Sequence, residues 1–200
     1  MKKSLLVATT NEKKYSEIRS LLQDLDLEIV SLRDLSPIQE VPESGVTFEK
    51  NAELKAVGYA QQTGLMTLAE DSGLCCDALE GAPGIYSARF SGEGKNDGDN
   101  NQKLLRLLEK VPDNCRGAYF KCVATLAQSG KILASFDGEV HGVIAKEPRG
   151  KNGFGYDPLF IYPPYGKTFG EIPQDMKFKV SHRTRALEKV GVYLATLFNP

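Results

Sequence analysis

Two adjacent carboxylates follow an apolar stretch in the segment Glu70-Asp71-Ser72-Gly73. Neighbouring side chains of an extended chain point to opposite faces, so the two acids should meet different surroundings. One carboxylate could bind Mg²⁺, which prefers oxygen ligands, while the other polarises water; Glu43 is a candidate for a further ligand. We expect the glycine to let the backbone turn sharply after the acids. The alternative is that both acids cap an exposed loop.

A second candidate is a strand–turn–helix corner near the N-terminus. The segment Thr9-Thr10-Asn11-Glu12-Lys13-Lys14 separates apolar residues 5–8 from a helical pattern. The free N–H groups and the positive end of such a helix attract phosphate, and Lys13 and Lys14 add positive charge. The alternative is a plain turn in which Asn11 serves only as the helix N-cap.

A glycine-rich loop, Lys151-Asn152-Gly153-Phe154-Gly155-Tyr156-Asp157-Pro158, places two aromatic rings beside an acid. An aromatic face can stack on a nucleobase, which contributes roughly 1–3 kcal/mol per base. Asp157 could accept hydrogen bonds from the N–H groups of the base. The alternative is that the two aromatic rings only anchor the loop to the core.

The densest basic cluster comprises Ser181-His182-Arg183 with Lys177 and Lys179 just upstream. An arginine offers forked donors to carbonyl or phosphate oxygens. A solvated helix start is the alternative interpretation. His141 lies in a strand-like run and receives no role. With two histidines and no C-x-x-C pattern among four cysteines, the sequence does not predict a zinc site.

Strand-like and helical segments alternate along the chain before a hairpin, which predicts an α/β fold around a mixed sheet. The predicted strands cover residues 4–9, 27–32, 65–69, 118–127, 132–140 and 158–161. The predicted helices cover residues 14–22, 48–63 between Thr47 as N-cap and Gly64 as stop, 102–108, and a final helix from about Ser181. Residues 81–98 are expected to form a long surface loop, and residues 128–131 the hairpin turn.

The bulk composition is that of a globular domain. The chain has 200 residues, 41% of them hydrophobic and 26% charged, and a formal net charge of -1. This balance provides no overall field for binding nucleic acid or a membrane, so a small anionic substrate needs a local basic cluster. The apolar runs are too short for a membrane span or a signal-peptide core, which predicts a cytoplasmic protein.

Six segments in the same order resemble the inosine triphosphate pyrophosphatase family, the Ham1-like hydrolases of non-canonical purine nucleotides. They are Thr9-Thr10-Asn11-Glu12-Lys13-Lys14, Thr47-Phe48-Glu49-Lys50-Asn51-Ala52 with Lys55, Asp71-Ser72-Gly73-Leu74, Gly81-Ala82-Pro83-Gly84-Ile85-Tyr86-Ser87-Ala88-Arg89, Gly153-Phe154-Gly155-Tyr156-Asp157-Pro158 and Ser181-His182-Arg183. Each segment alone is weakly specific, whereas six in order over nearly the whole chain are highly specific.

The resemblance implies a single domain over residues 1–200 with a long twisted mixed sheet, flanking helices, and two lobes around a central nucleotide-binding cleft. It also implies a homodimer. The implied reaction is attack of water on the α-phosphorus of inosine, deoxyinosine or xanthosine triphosphate. The products are the monophosphate and pyrophosphate, and Mg²⁺ is the implied cofactor.

The resemblance also implies a role for each matching residue. Asp71 would be the general base, and the candidates for binding magnesium are Glu43, Glu70 and Asp71. The implied substrate-binding residues are Thr9, Thr10, Asn11, Glu12, Lys13, Lys14 and Lys55 for the phosphates, Ser72, then Phe154, Gly155, Tyr156 and Asp157 around the base, and Lys177, His182 and Arg183 on its other side.

Base selection would follow from a donor such as Arg183 facing the carbonyl at ring position six, because the amine of adenine leaves that donor mismatched. Two residues depart from the family pattern, since Thr10 stands where glycine is frequent and Glu70 where aspartate is frequent. Two other functions stay open. One is a Maf-type pyrophosphatase for pyrimidine or other modified nucleotides, and the other is a nucleotide sensor without turnover.

Overall fold

The computed structural model describes residues 3–35, 37–92, 94 and 96–198. Its strands are β1 (Lys3–Val7), β2 (Leu27–Ser31), β3 (Met66–Cys76), β4 (Gly117–Gln128), β5 (Lys131–Ile144), β6 (Phe160–Tyr162) and β7 (Lys167–Thr168). Its α-helices are α1 (Glu12–Leu21), α2 (Phe48–Thr63), α3 (Asp97–Leu107), α4 (Gln174–Phe178) and α5 (His182–Phe198). None of the helices in these ranges has the length and apolar character needed to cross a membrane.

The strands form one sheet in the order β2-β1-β3-β4-β5-β6-β7. Strand β1 runs parallel to both β2 and β3, whereas β6 runs antiparallel to both β5 and β7. The predicted α/β fold with a mixed sheet and flanking helices is therefore confirmed. The nucleotide-binding cleft stays a prediction.

The described residues divide into two compact units. Unit 1 lies within Met1–Asp71, Cys122–Gly138 and Arg183–Pro200, and unit 2 within Ser72–Lys121 and Glu139–His182.

Strand β1 contributes apolar residues to the core of unit 1 from both of its faces. Its residues Leu5 and Val7 pack in one cluster with residues of α1 and α5, and Leu6 packs in another with residues of α2. Alternate residues of a strand point to opposite faces, so an unbroken apolar run predicts a strand covered on both sides. The helices of unit 1 thus fix both faces of the sheet from which the acids project.

The predicted caps of α2 and the predicted hairpin turn are both confirmed. The Thr47 side chain accepts a hydrogen bond from the backbone N–H of Lys50, and Gly64 ends α2 in the left-handed conformation at φ 69°. Strands β4 and β5 are joined by Ser129 and Gly130, with φ of 51° and 74°. Positive φ at both positions is the type I′ turn, whose twist matches that of the strands.

The predicted turn at Gly73 is wrong. Strand β3 continues through residues 70–73 to Cys76. A Cβ at Gly73 would overlap the carbonyl oxygen of Gly84 and the Oγ of Ser87. The glycine therefore permits a close approach of two chain segments instead of a turn.

The predicted surface loop over residues 81–98 is also partly wrong. Residues Gly84–Arg89 form a 3-10 helix in which Ser87 is buried, and α3 already begins at Asp97. Asn96 caps α3 by accepting hydrogen bonds from two backbone N–H groups. Asparagine is among the preferred N-cap residues, so this start was visible in the sequence. Glu93 and Lys95 lie outside the described residues.

Candidate active site

Glu70 and Asp71 are both buried in β3, with 3% and 6% of their surface exposed. They meet different surroundings, as the alternation of side chains along a strand predicts. Glu70 contacts Arg183, the first residue of α5 that belongs to unit 1, whereas Asp71 contacts residues of α2. The interpretation that both acids cap an exposed loop is therefore excluded.

Glu70 lies in a network of ion pairs. The Nε and Nη2 atoms of Arg183 donate to its two oxygens over 3.0 and 3.1 Å, and Lys14 Nζ lies 3.0 Å from Oε1. The thiol of Cys122 donates to Oε2 over 2.9 Å. Burial alone would raise the pKa of Glu70, but the charges of Arg183 and Lys14 hold it well below its usual range.

The expected role of Glu70 in metal binding stays a prediction. Its oxygens accept hydrogen bonds from Arg183 and Cys122 and face the ammonium of Lys14, so a divalent cation there would meet two positive charges.

Asp71 has a different set of partners. Its Oδ2 accepts a hydrogen bond from Asn51 Nδ2 over 3.1 Å, and its Oδ1 lies 3.7 Å from Lys55 Nζ. Burial raises the pKa of Asp71 above its usual value, although the positive charges of Lys55 and Lys14 oppose that rise. A buried carboxylate with a raised pKa is a better proton acceptor than an exposed one, as a general base requires.

Glu43 and Asp71 both face the ammonium of Lys55. Its Nζ lies 3.2 Å from Glu43 Oε1 and 3.7 Å from Asp71 Oδ1. Two carboxylates around one positive charge form an oxygen donor set that fits Mg²⁺. No group of three or more histidine, cysteine, aspartate or glutamate residues is arranged to hold a metal within the described part of the chain. Substrate phosphates and water would have to complete the coordination.

The phosphate corner has the predicted strand–turn–helix form. Asn11 caps α1, since its Oδ1 accepts hydrogen bonds from the backbone N–H groups of Lys13 and Lys14. Thr9 Oγ1 accepts from the N–H of Asn11 over 3.2 Å. The capping interpretation of Asn11 is thus correct, and binding of phosphate here stays a prediction that would draw on the remaining donors and on the lysine side chains. Arg33 follows β2 by two residues and also holds this corner, because its Nη2 donates to the carbonyl oxygen of Thr10.

In unit 2, three predicted residues of the base site lie together. The buried Lys177 Nζ donates to Asp157 Oδ2 over 2.6 Å and lies 4.7 Å from the centre of the Phe154 ring. Asp157 Oδ2 also accepts from the backbone N–H of Phe154. Gly153 permits this tight loop, because a Cβ there would overlap Asp157 Oδ2 and its φ is 76°.

Unit 2 also contains three other predicted residues, Tyr156, His182 and Ser72. Tyr156 is buried in the core, and its hydroxyl donates to the carbonyl oxygen of Ser87 over 2.8 Å. The ring of His182 stacks on Phe120, with centres 4.8 Å apart. Ser72 lies half-buried in β3. The interpretation that the loop aromatics anchor to the core therefore holds for Tyr156, whereas Phe154 remains half-buried.

Arg183 lies in the buried network of unit 1. Only 1% of its surface is exposed, and its guanidinium donates to Glu17 as well as to Glu70. Burial would lower its pKa, but the charges of Glu70 and Glu17 raise it. Its predicted contact with the base carbonyl stays a prediction, and in this structure its Nε and Nη atoms contact protein carboxylates.

Sequence reasoning missed two residues of unit 1 that contact the predicted ones. Glu17 is buried on α1 beside Arg183, and Asn51 is fully buried on α2 beside Asp71. Asn51 lies one helical turn before Lys55, and residues four apart share a helix face, so its position was open to prediction. No local signal marks Glu17, because its partners are distant in the sequence.

A sequence profile of the Ham1 family matches residues 5–193. The chain belongs to the Ham1 family. This confirms the resemblance found in the six sequence segments.

Curated and solved Ham1 relatives match nearly the full length of the chain. A dITP/XTP pyrophosphatase of Geobacter sulfurreducens is 51% identical over 92% of this chain and 92% of its own. One of Desulforamulus reducens is 46% identical over 97% and 96%. The structure of a HAM1 protein from Coxiella burnetii has a TM-score of 0.90 at 40% identity and covers 97% of this chain and 99% of its own.

Proposed function

We propose that this protein hydrolyses the non-canonical purine nucleoside triphosphates ITP, dITP and XTP to the monophosphate and pyrophosphate. The relatives named dITP/XTP pyrophosphatase, at 51% and 46% identity over nearly the full chain, support this substrate class. The observation that carries the chemistry is the buried Asp71 carboxylate, which accepts a hydrogen bond from Asn51 and faces the ammonium of Lys55.

In the proposed reaction, Asp71 takes a proton from the water that attacks the α-phosphorus. The hydrogen bond from Asn51 orients the carboxylate for this proton transfer. Lys55, Lys13 and Lys14 compensate the negative charge of the triphosphate beside the N-terminus of α1. The bond between the α-phosphorus and the oxygen that bridges it to the β-phosphorus breaks, and pyrophosphate leaves with that oxygen.

We further propose that Mg²⁺ binds at Glu43 and Asp71, where it would neutralise phosphate charge and polarise the phosphorus–oxygen bonds. Binding of the ion beside Asp71 would compete with the ammonium of Lys55, which now lies within 4 Å of both acids. Lys55 would then be available to the phosphates.

We propose that the half-buried ring of Phe154 stacks on the purine. The ammonium of Lys177 lies 4.7 Å from the centre of that ring and donates a hydrogen bond to Asp157. The carbonyl at ring position six of inosine or xanthosine accepts a hydrogen bond that the amine of adenosine does not accept. Lys177, which the family resemblance places beside the base, joins Arg183 as a candidate donor to that carbonyl.

From the family resemblance we also propose a cytoplasmic homodimer. Light scattering coupled to size-exclusion chromatography would measure twice the chain mass of 21.9 kDa if the dimer forms. A single-chain mass at micromolar concentration would reject it.

The test of function is pyrophosphate release from inosine, xanthosine, adenosine, guanosine and thymidine triphosphates, each with and without magnesium. We expect magnesium-dependent release from the first two and little from the rest. Release mainly from the pyrimidine nucleotide would support a Maf-type activity, and tight binding without turnover would support a sensor. Either result would reject the proposal.

A further inference from the structure

Helix α3 contacts the loop that carries Phe154 through its first two turns. The backbone N–H of Gly155 donates to Asp97 Oδ2 over 2.7 Å, and Asn101 Nδ2 donates to the carbonyl oxygen of Gly155 over 3.0 Å. Asp97 and Asn101 are four residues apart and therefore lie on the same helix face. Together they bind both backbone polar groups of a single residue.

Gly155 cannot obtain these hydrogen bonds from regular secondary structure. Its φ of 60° is in the left-handed region, which no strand uses. Phe154 on one side has its backbone N–H bound to Asp157 Oδ2 within the same loop. The loop is thus held from inside by Asp157 and from outside by α3, with Phe154 between these two attachments.

We propose that Asp97 and Asn101 are positioning residues that fix Phe154 for stacking on the base. The proposal rests on the proposed function of the Phe154 loop. Neither residue needs to touch the nucleotide, since each acts through the peptide groups of Gly155. Loss of either contact would let the loop sample more conformations, and binding would then have to order it again.

Asn101 is buried where it contacts the loop. Only 9% of its surface is exposed, and its Nδ2 is the hydrogen-bond partner of the Gly155 carbonyl oxygen. An apolar side chain at this position of α3 would remove that partner, so the loop would lose this attachment to the helix.

The experiment compares four variants with the wild type: Asn101→Leu, Asp97→Ala, Asp97→Asn and, as matched control, Asp99→Ala. Asp99 is an exposed acid of the same helical turn, and its backbone N–H, which donates to Asn96, survives the change. Calorimetry measures the affinity for inosine monophosphate, which contains the base, and for pyrophosphate, which does not. Thermal unfolding is followed for every variant.

We expect Asn101→Leu and Asp97→Ala to weaken binding of inosine monophosphate about tenfold, the loss of one net hydrogen bond. Binding of pyrophosphate should change less than twofold, and kcat should fall less than the rise in KM. Asp97→Asn keeps an acceptor oxygen and should recover most of the affinity. The control Asp99→Ala should behave like the wild type in all measurements.

The proposal is overturned if Asn101→Leu and Asp97→Ala match the Asp99→Ala control, or if they weaken inosine monophosphate and pyrophosphate equally. A lower Tm with unchanged nucleotide affinity would also overturn it, since the contacts would then be structural only. If a variant does not fold, Asp97→Ser and Asn101→Ser replace it, with the same expected loss of affinity. Absence of turnover in the wild type rejects the proposed function alone, because the affinities are measured without turnover.

Discussion

The two regions that hold the predicted site residues are stabilised in different ways. In unit 1, Glu70 and Arg183 pair inside the protein, with Glu17 and Lys14 as further partners. In unit 2, a buried ion pair, Lys177 with Asp157, is combined with hydrogen bonds to the backbone of the Phe154 loop, which come from α3 and from Asp157.

The difference determines what a single substitution can change. Removing one partner of a buried ion pair leaves an uncompensated charge, so the network of unit 1 fails as a whole. Removing one side chain of α3 that binds the loop costs only one hydrogen bond, so the loop of unit 2 can become less ordered while the fold persists. The network of Arg183 in unit 1 should therefore show coupled losses of stability and activity, whereas changes at Phe154 or at the α3 contacts of unit 2 should separate them.

The largest effect should come from Asp71, the acid of unit 1 that accepts a hydrogen bond from Asn51. Asp71→Asn should lower kcat by about 10²–10⁴-fold, because an amide cannot take the proton from water. Nucleotide affinity in the absence of Mg²⁺ should persist, since the amide has nearly the same shape. Single-turnover kinetics with ITP measures both quantities. A kcat close to that of the wild type would remove Asp71 from the reaction.

The next effect tests the ion-pair network of unit 1. Arg183→Met should lower the free energy of unfolding by about 3–5 kcal/mol, because Glu70 and Glu17 lose their buried partner. The double variant Arg183→Met with Glu70→Leu should lose less than the sum of the single changes. Urea denaturation measures these values. A loss below 1 kcal/mol for Arg183→Met would mean that the network does not hold this region.

A smaller effect should follow from Phe154→Ala in unit 2. Loss of stacking should weaken the binding of inosine monophosphate by about 1–3 kcal/mol, or roughly 5- to 150-fold. The half-buried ring should contribute little to Tm, so affinity and stability should separate here. Phe154→Tyr keeps an aromatic face and is the matched control. Equal affinity of the alanine variant and the control would reject stacking.

The smallest effect concerns a turn of unit 1 without a proposed role in the site. Ser129 has a φ of 51° at the first position of the type I′ turn, where asparagine is preferred. Ser129→Asn should raise the free energy of unfolding by roughly 0.5 kcal/mol. The rate of pyrophosphate release should not change. A change in that rate would show that stability and activity are coupled beyond the ion-pair network.

Features with a local cause were predictable from the sequence. The caps of α2 follow from Thr47 and Gly64, and the hairpin follows from Ser129-Gly130 between two apolar runs. The burial of Glu70 was not predictable, since its partner Arg183 lies 113 residues away. The role of Glu70 as a metal ligand, which the family resemblance implies, stays a prediction.

The same limit explains the error at Gly73 and the missed residues of α3. A glycine after two acids is typical of a turn, and only the neighbouring segment of Gly84 shows why a side chain is excluded there. Asp97 and Asn101 carry a regular four-residue spacing, but their partner Gly155 lies 58 and 54 residues away. Contacts of this kind are set by tertiary packing, which a local pattern does not contain.

The most direct test of the proposed function is hydrolysis of ITP by the wild-type protein in water enriched in ¹⁸O. If water attacks the α-phosphorus, the label should appear in inosine monophosphate and be absent from pyrophosphate, with one pyrophosphate formed per ITP. Label in the pyrophosphate, or release of orthophosphate as the first product, would contradict the proposed reaction.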